Sequence, residues 1–409
     1  MSKEEKEKLV PNLRFKGFTD DWIPQLFADL LDKEEGIRRG PFGSALKKDY
    51  FVSDSNYVVY EQRNAIDDHY QTRYNISKEK FDELHRFVLQ PDDFIMSGAG
   101  TIGRISRVPK EVKQGVFNQA LIRMKLNYEV TDPDFFIQWM RSDNLQRKLT
   151  QANPASAMAN LVPMSELKEW KIIVPKKEEQ VKLGIFISKI ENIITLEQEK
   201  LAHYKQIKMM LLSKLFATKE NSVPEMRFKE FSEKWAQHEL SEISSITMGQ
   251  SPSSNNYTNN PNDYILVQGN ADLENGKVIP RIWTTEVTKS VNKGAIILTV
   301  RAPVGDVAIS HYEVVLGRGV AALTGNYFIY YLLIRMNVTN YWRKYSTGST
   351  FESINSSDIQ RALIVVPSLD EQEKIGYTLN KIDKIITLEQ TRIEHYQSIK
   401  NNLLHNLFI

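Results

Sequence analysis

An internal duplication constrains this 409-residue chain more than any other feature of its sequence. The segment IENIITLEQEKLAHYKQIKMMLLSKLF at 190–216 aligns without a gap with IDKIITLEQTRIEHYQSIKNNLLHNLF at 382–408, and 15 of the 27 positions are identical. The six letters IITLEQ therefore stand twice, 192 residues apart (193 and 385). Solenoid repeats are roughly 20 to 50 residues long, so this much longer period predicts a duplicated module with pseudo-twofold symmetry.

Two further anchors extend the duplication over most of the chain. VPNLRFKGFTDDW at 10–22 matches VPEMRFKEFSEKW at 223–235, at an offset of 213, and WKIIVPKKEEQ at 170–180 matches RALIVVPSLDEQ at 361–372, back at 192. The second copy is therefore shorter by 21 residues (213 less 192) between these anchors. The stretches 23–165 and 236–357 show little similarity, which gives the order variable, constant, variable, constant. Joining the end of the chain to its beginning recreates the first junction, so the layout is circular.

The constant parts are predicted to be two helices of about 40 residues, each about 60 Å long. Seam positions in both copies recur with the spacing 4-3-4-3 that is typical of a coiled coil, and this favours packing of the two helices on each other over two isolated surface helices. The seam residues are Leu183, Ile187, Ile190, Ile194, Glu197, Leu201, Tyr204, Lys208, Leu211 and Leu215, and then Ile375, Leu379, Ile382, Ile386, Glu389, Ile393, Tyr396, Lys400, Leu403 and Leu407.

One glutamate and one lysine in each seam suggest an antiparallel pair. Glu197 facing Lys400 and Lys208 facing Glu389 satisfy one common register, as a twofold axis requires. Pairs of this kind mainly set the register and add little stability where they are exposed.

Composition excludes several classes of protein. The absence of cysteine rules out disulfides, thiolate catalysis and cysteine-ligated zinc, and fits a cytoplasmic protein. The sequence contains no run of 18 apolar residues, so no membrane span is predicted. The first eleven residues lack the apolar core of a signal peptide. A net charge of +2 permits nucleic-acid binding only weakly.

The motif GAGTIG at 98–103 matches a dinucleotide-binding pattern, but its setting argues against that function. A strand-like segment follows it where a helix is needed, and the second copy, VRAPVG at 300–305, keeps only the last glycine. A turn between two strands is the favoured interpretation. The sequence holds no P-loop, G-x-S-x-G or H-E-x-x-H motif, and His203 and His395 are better read as structural than as metal ligands. We therefore expect no catalytic residue, no metal and no bound cofactor.

The variable parts carry glycine-rich, amide-rich and basic loops at matching points of the duplicated frame. IRRGPFGSALKKDY at 37–50 corresponds to TMGQSPSSNNY at 247–257, and RKLTQANPASA at 147–157 to RKYSTGSTFES at 343–353. Arginine and amide side chains can read base edges, whereas lysine, hydroxyl and backbone N–H groups can hold phosphates. Polar loops without function are the alternative for any single residue.

The sequence resembles the specificity (S) subunit of Type I restriction-modification systems. Four features carry this resemblance: the paired helices, the IITLEQ…HY…LL…LF motif, the VP-x-(L/M)-RF segments and the circular layout. The resemblance covers nearly the whole chain and implies an α+β fold, with two globular α/β target-recognition domains separated by two long antiparallel coiled-coil helices. It implies that each domain reads one half of a bipartite double-stranded DNA target. It also implies that two methyltransferase (M) subunits bind the helices, with restriction–translocation (R) subunits joining for cleavage. S-adenosylmethionine, ATP and Mg²⁺ are expected on those partner subunits and not on this non-catalytic chain.

The predicted domains are 1–177 (first target-recognition domain), 178–220 (first helical region), 221–369 (second target-recognition domain) and 370–409 (second helical region). The candidate DNA contacts are polar, basic, aromatic or glycine residues of the loops. In the first domain they are Gly40, Phe42, Ser44, Lys47, Lys48, Tyr60, Gln62, Arg63 and Asn64, and in the second they are Gln250, Ser251, Ser253, Tyr257, Gln268, Asn270, Arg301, Arg343, Lys344, Thr347 and Ser349.

The sequence leaves two rival functions open. A coiled-coil adaptor that binds only protein explains the helices, but not the divergent arginine- and amide-bearing loops. A nucleotide-dependent enzyme built on GAGTIG is the other, and tight binding of a dinucleotide would support it.

Overall fold

The computed structural model describes residues 10–151, 163–218, 221–345 and 353–409. The chain divides into two compact units. The first unit comprises residues 1–197 and 392–409, and the second comprises residues 198–391. Each unit therefore contains a globular part together with a portion of each of two long helices.

The described residues of the first unit form ten short strands and five short α-helices. The strands are β1 (Ile23–Leu26), β2 (Ile37–Arg39), β3 (Phe51–Val52), β4 (Tyr57–Tyr60), β5 (Tyr74–Ile76), β6 (Phe94–Ser97), β7 (Ile105–Arg107), β8 (Gly115–Phe117), β9 (Leu121–Met124) and β10 (Lys171–Val174). The short helices are α1 (Gln62–Ile66), α2 (Lys78–Glu83), α3 (Pro133–Met140), α4 (Asp143–Gln151) and α5 (Met164–Lys168). The long helix α6 (Lys177–Lys214) begins in this unit.

The strands of the first unit form two four-stranded sheets and one two-stranded ribbon. The sheet orders are β2-β9-β6-β7 and β3-β5-β4-β8, and β1 pairs with β10. Strands β4 and β8 run parallel, and the other pairs among these ten strands are antiparallel. Strands β6 and β9 are buried at every position, because sheet and helices cover both of their faces.

The second unit repeats this arrangement with more strands. They are β11 (Ala236–Glu239), β12 (Ile246–Met248), β13 (Tyr257–Thr258), β14 (Tyr264–Val267), β15 (Leu273–Glu274), β16 (Lys277–Val278), β17 (Trp283–Thr284), β18 (Ser290–Val291), β19 (Ile296–Thr299), β20 (Val307–Ile309), β21 (Val314–Leu316), β22 (Val320–Leu323) and β23 (Leu363–Val366). The helices are α7 (Leu240–Ile243), α8 (Tyr327–Val338), α9 (Ser356–Gln360) and the long α10 (Leu369–Leu407).

The sheet registers show that the two variable parts share one architecture. The order β12-β22-β19-β20 repeats β2-β9-β6-β7, and β14 pairs in parallel with β21 as β4 does with β8. Phe94 pairs with Met124 and Arg107, and the corresponding Ile296 pairs with Leu323 and Ile309. The sequence stretches that looked unrelated therefore fold alike.

A helix follows the central sheet in each unit and packs on a long helix. Asp132 caps α3 by accepting the Phe135 amide at 2.8 Å, and Asn326 caps α8 by accepting the Ile329 amide at 3.2 Å. The core of the first unit joins α3 to Leu183 and Ile187 of α6, and that of the second joins α8 to Ile375 and Leu379 of α10.

The long helices run antiparallel within each unit, as predicted, but their predicted register is wrong. Lys400 bonds Glu191 at 2.5 Å where Glu197 was expected, and Glu197 faces Arg392 at 3.5 Å. Lys208 bonds Asp383 at 2.7 Å where Glu389 was expected, and Glu389 instead bonds Lys200 at 2.8 Å. The observed pairing is shifted by about one heptad. Such a shift leaves an apolar seam matched, so seam spacing alone cannot distinguish the two registers.

Candidate nucleic-acid interface

Four loops of the first unit meet at one end of its sheets. A Cβ atom on Gly40 would lie only 1.9 Å from the Asn118 carbonyl oxygen, so the chain after β2 touches the turn before β9 and requires glycine there. The Gly98 amide donates to the Ala120 carbonyl at 2.8 Å, and the Gln62 side-chain amide donates to the carbonyl groups of Ala99 and Thr101. We call residues 40–43, 61–64, 98–101 and 118–120 the first loop cluster.

The surface of the first loop cluster is aromatic and basic. The Phe42 side chain is 88% exposed although it is entirely apolar. Lys47, Lys48 and Arg63 are exposed nearby along the chain, and the Arg39 guanidinium lies over the cluster, donating to the Gln119 carbonyl at 3.1 Å. The cluster can therefore offer both cations and a ring face to a ligand.

Two of the nine residues predicted as DNA contacts in the first domain need correction. Tyr60 is fully buried and its hydroxyl donates to the Lys113 carbonyl at 2.6 Å. Asn64 is also buried, and its amide donates to the carbonyl groups of His69 and Gln71 at 2.8 and 3.0 Å. Both side chains brace the fold from within, because strand β4 and the start of α1 face the core. The remaining seven residues are exposed or partly exposed, and whether they contact DNA stays a prediction: Gly40, Phe42, Ser44, Lys47, Lys48, Gln62 and Arg63.

The second unit builds a matching site, the second loop cluster, from residues 249–253, 268–272, 300–306 and 317–319. A Cβ atom on Gly249 would lie 2.0 Å from the Gly317 carbonyl oxygen, which repeats the Gly40–Asn118 contact. The Gly317 amide donates to the Val267 carbonyl at 2.7 Å, and the Val300 amide donates to the Gly319 carbonyl at 2.9 Å. Four separate loops between residues 249 and 319 therefore converge on one surface.

The predicted DNA contacts of the second domain differ in their exposure to solvent. Exposed residues are Gln250, Ser253, Asn270, Arg301, Arg343 and Lys344, and partly exposed residues are Ser251, Tyr257 and Gln268. The Lys344 ammonium lies over the Tyr341 ring, 3.6 Å from its centroid. Thr347 and Ser349 lie outside the described residues.

Two carboxylates hold loops of the second loop cluster in place through hydrogen bonds. Glu286 accepts the Asn256 side-chain amide at 2.7 Å and the Ser253 backbone amide at 2.9 Å, and these bonds, that of Asn256 first, lower its pKa. Asp306 accepts the side-chain amides of Asn270 and Asn337. Each carboxylate satisfies loop amides, so it holds a loop in place and leaves the neighbouring cations to face solvent.

Three residues of these surfaces were missed by the sequence interpretation. Arg39 and Gln119 belong to the first surface, and exposed Arg318 lies at the centre of the second. Arg318 stands between two glycines in LGRGV, a signal of a tight turn between strands, but only the sheet order shows that this turn meets the loop at 249–253.

The motif GAGTIG forms the turn of a hairpin, as predicted. It joins antiparallel strands β6 and β7, and Gly100 and Gly103 adopt positive φ angles of 63° and 80°. No helix follows it, so no helix N-terminus faces a phosphate there. Within the described ranges, no group of histidine, aspartate or glutamate side chains has the arrangement of a metal site. None of the described helices is long and apolar enough to cross a membrane.

The long helices carry apolar residues that face away from their seam. In the duplicated IITLEQ motif, Ile194 is buried, whereas Leu196 is 62% exposed, and its counterpart Leu388 is 67% exposed. Ile193, Met209 and Met210 are also exposed. Large apolar side chains that repeat at equivalent exposed positions are typical of a surface that binds another protein.

Comparison with known proteins gives one consistent result. The family model described as "Type I restriction modification DNA specificity domain" matches residues 42–206 and again 232–396. The putative type I restriction enzyme MjaX specificity subunit of Methanocaldococcus jannaschii is 24% identical over 342 residues, covering 80% of each chain. The MjaIX specificity subunit of the same organism is 32% identical over 122 residues, covering 29% of this chain and 28% of that protein.

Two solved structures share the fold over nearly the whole chain. The type I restriction-modification S subunit from M. genitalium has a TM-score of 0.62 at 16% identity and covers 98% of this chain and 99% of its own. A chain from a structure on complex assembly and conformational transition of the type I R-M system has a TM-score of 0.60 at 21% identity and covers 94% and 96%. The two matched domains account for most of the sequence, and the chain belongs to the family of type I restriction-modification DNA specificity subunits.

Proposed function

We propose that each loop cluster reads one half of a bipartite double-stranded DNA target on behalf of a methyltransferase. The observation that supports this most directly is the pair of loop clusters, which share one backbone architecture and carry unlike side chains. A frame that is repeated while its exposed loops differ suits a protein that recognises two unlike half-sites.

The chemistry of the exposed side chains suits DNA. Arg318 carries a fork of two donors and Gln250 a donor beside an acceptor, and such pairs read base edges in the major groove. Lys47, Lys48 and the backbone amides near glycines suit phosphate oxygens. The net charge of +2 is small for a DNA-binding protein, so partner subunits would supply part of the phosphate neutralisation.

The outward apolar residues of the long helices suit docking of methyltransferase subunits. Leu196 and Leu388 occupy the same place in the two copies of IITLEQ, so two copies of one partner could each use one of them. This supports a complex with two methyltransferase subunits, which restriction–translocation subunits join for cleavage. S-adenosylmethionine, ATP and Mg²⁺ would be bound by these partners.

The test is to map DNA methylation genome-wide in cells that hold the cognate methyltransferase, with and without this chain. We expect a motif of two specified parts separated by a fixed unread gap, present only with the chain. A chain in which residues 236–357 are exchanged for those of another family member should change one half-site and leave the other unchanged.

The opposite result would be equally informative. If the complex assembles by co-purification and methylation does not change, the loop clusters do not read DNA, and an adaptor that binds only protein becomes the better explanation. Binding of a dinucleotide by the purified chain would support the enzyme reading instead.

A further inference from the structure

The two loop clusters place different polar side chains at one equivalent position. Gln119 stands two residues before β9, and Arg318 stands two residues before β22. The sheet registers make them counterparts, because Leu121 pairs with Ser97 and Val320 pairs with Thr299 at the ends of matching strands. Both side chains are exposed.

The backbone that carries each of these residues is fixed by the loop after the first strand of the same sheet. In the first unit, Gly40 meets the Asn118 carbonyl, and a Cβ atom on Gly43 would lie 3.1 Å from the Gln119 side-chain oxygen. In the second unit, Gly249 meets the Gly317 carbonyl. The Ser251 hydroxyl accepts the Arg318 backbone amide at 3.0 Å and lies 3.4 Å from its Nε. Each side chain therefore projects from a turn whose position is well defined.

The functional ends of both side chains remain available to a ligand. The side-chain amide of Gln119 has no hydrogen-bond partner in the part of the chain that the structure describes, and the same is true of the terminal amino groups of Arg318. Arg318 forms no ion pair within those ranges. The half-buried acids nearby, Asp306 and Glu286, are already bonded to loop amides.

The two residue types read different bases. A glutamine amide presents one donor and one acceptor, which match N7 and the N6 amino group of adenine, whereas arginine presents two donors, which match N7 and O6 of guanine. We infer that positions 119 and 318 are equivalent specificity positions, with Gln119 reading an adenine in one half-site and Arg318 a guanine at the corresponding place in the other. This inference rests on the proposed function and adds to it which side chain reads which base.

The experiment is to map methylation motifs in cells holding the assembled complex with Gln119→Arg, Arg318→Gln or the unaltered chain. Gln119→Arg should change one adenine of the first half-site to guanine, shifting the ratio of methylated sites by roughly ten- to a hundredfold, with the gap and the second half-site unchanged. Arg318→Gln should produce the reverse change at one base of the second half-site.

Two charge-matched controls precede strands whose opposite ends lead into the loop clusters: β8 leads into residues 118–120, and β19 leads into residues 300–306. Gln114→Arg adds the same charge just before β8, and Lys293→Gln removes one just before β19; both side chains are exposed. These variants should leave every base of the motif unchanged. Co-purification with the methyltransferase checks that all four variants fold and assemble.

Different failures point to different errors. If the unaltered chain gives a two-part motif, and Gln119→Arg and Arg318→Gln only lower methylation uniformly, then the two residues contact phosphates, and the inference is wrong while the proposed function stands. A change of motif in a control variant also overturns it. If the unaltered complex gives no two-part motif, the proposed function itself fails.

Discussion

At the scale of single residues, the same buried ion pair ties the globular part to the long helix in each unit. Arg14 donates two hydrogen bonds to Glu179, both at 2.8 Å, and Arg227 does the same to Glu371. The Trp235 indole adds a bond to Glu371 at 3.2 Å. These glutamates are almost fully buried. The ion pairs explain why the Arg-Phe and Glu-Gln dipeptides occur in both copies.

Replacing Arg227 by alanine should destabilise the second unit by about 3 kcal/mol, because it leaves the Glu371 carboxylate buried without its cation. Urea unfolding followed by tryptophan fluorescence would measure this loss. Arg227→Lys keeps the charge but cannot form the bidentate hydrogen bonds, so it should lose less stability than Arg227→Ala. A loss below about 0.5 kcal/mol for Arg227→Ala would show that water replaces the guanidinium, and that the pair does not hold the unit together.

A second residue-scale feature is a buried carboxyl group in the first unit. Asp93 lies just before β6, accepts the Gln90 amide at 2.9 Å and is almost fully buried. Burial raises its pKa to about 6, although nearby Arg123 and Lys125 act in the opposite direction. The folded state therefore binds this proton more tightly than the unfolded chain does, and stability is lost as pH rises through 6.

Asp93→Asn should raise the free energy of unfolding by about 1 to 2 kcal/mol at pH 7.5, where the natural carboxylate is charged although it is buried. The difference should shrink at pH 5, where Asp93 is mostly protonated. Hydrogen exchange of the β6 amides at both pH values measures the change locally. Exposed Asp49→Asn serves as the control, and an Asp93→Asn effect independent of pH would contradict the assignment.

At the scale of elements, one glycine in each long helix permits close packing. A Cβ atom on Gly184 would lie 2.6 Å from the Phe135 amide nitrogen at the start of α3, and one on Gly376 would lie 2.7 Å from the Phe328 nitrogen at the start of α8. Helix propensity alone would favour alanine at both positions, by about 1 kcal/mol. The structure shows that backbone contact between helices overrides this local preference.

Gly376→Ala should therefore destabilise the second unit by about 1 to 2 kcal/mol, because overlap with α8 exceeds the gain in helix propensity. Thermal unfolding measures the effect. Gly269→Ala is a suitable control, since a Cβ atom there meets nothing within 4 Å. A stabilised Gly376→Ala protein would mean that α10 and α8 are packed less closely than described.

The exposed leucines of IITLEQ provide a test of the proposed partner surface. Leu196→Glu and Leu388→Glu should each weaken binding of a methyltransferase subunit by about tenfold or more, because a charge replaces apolar contact area. Titration of the methyltransferase by calorimetry gives the affinity and the number bound. Exposed neighbours supply the controls Thr195→Glu and Thr387→Glu. Unchanged affinity in both leucine variants would move the docking site elsewhere.

At the scale of the whole molecule, the chain closes each unit in the same way. The Leu13 amide donates to the Asn406 carbonyl at 2.9 Å near the end of α10, and the Met226 amide donates to the Lys214 carbonyl at 3.0 Å at the end of α6. One of these two junctions is covalently continuous through residues 215–223, and the other is made by contact alone. The circular layout predicted from the repeat therefore has a physical basis in matched contacts.

A permuted chain opened between Lys219 and Glu220, with Ile409 joined to Glu5, should fold and keep its target. The join leaves seven residues between Leu407 and Val10, the number between Leu215 and Val223. Circular dichroism and methylation mapping test fold and function separately. A chain opened inside α10 between Leu388 and Glu389 is the control that should fail. Loss of folding in the first permutant would show that the two junctions are not equivalent.

The variable parts of the two copies align poorly in sequence because the loops between their strands differ in length. The offset between equivalent elements falls from 209 at β2 and β12 to 202 at β6 and β19, 199 at β9 and β22, and 192 at the long helices. The 21-residue difference is thus spread over several connections. Because each strand is only two to four residues long, the correspondence between strands of the two copies cannot be followed in the sequence once the loops between them differ in length.

The sequence by itself determined the duplication, the antiparallel helix pair, the hairpin turn at GAGTIG and the family. These depend on long, strongly patterned segments, in which periodicity and identity reinforce each other. Only the tertiary structure decided the helix register, the burial of Tyr60 and Asn64, and the meeting of Gln119 and Arg318 with loops from elsewhere in the chain. A heptad seam is matched again after a shift of seven residues, and short loops converge through the order of strands in a sheet, which local sequence does not encode.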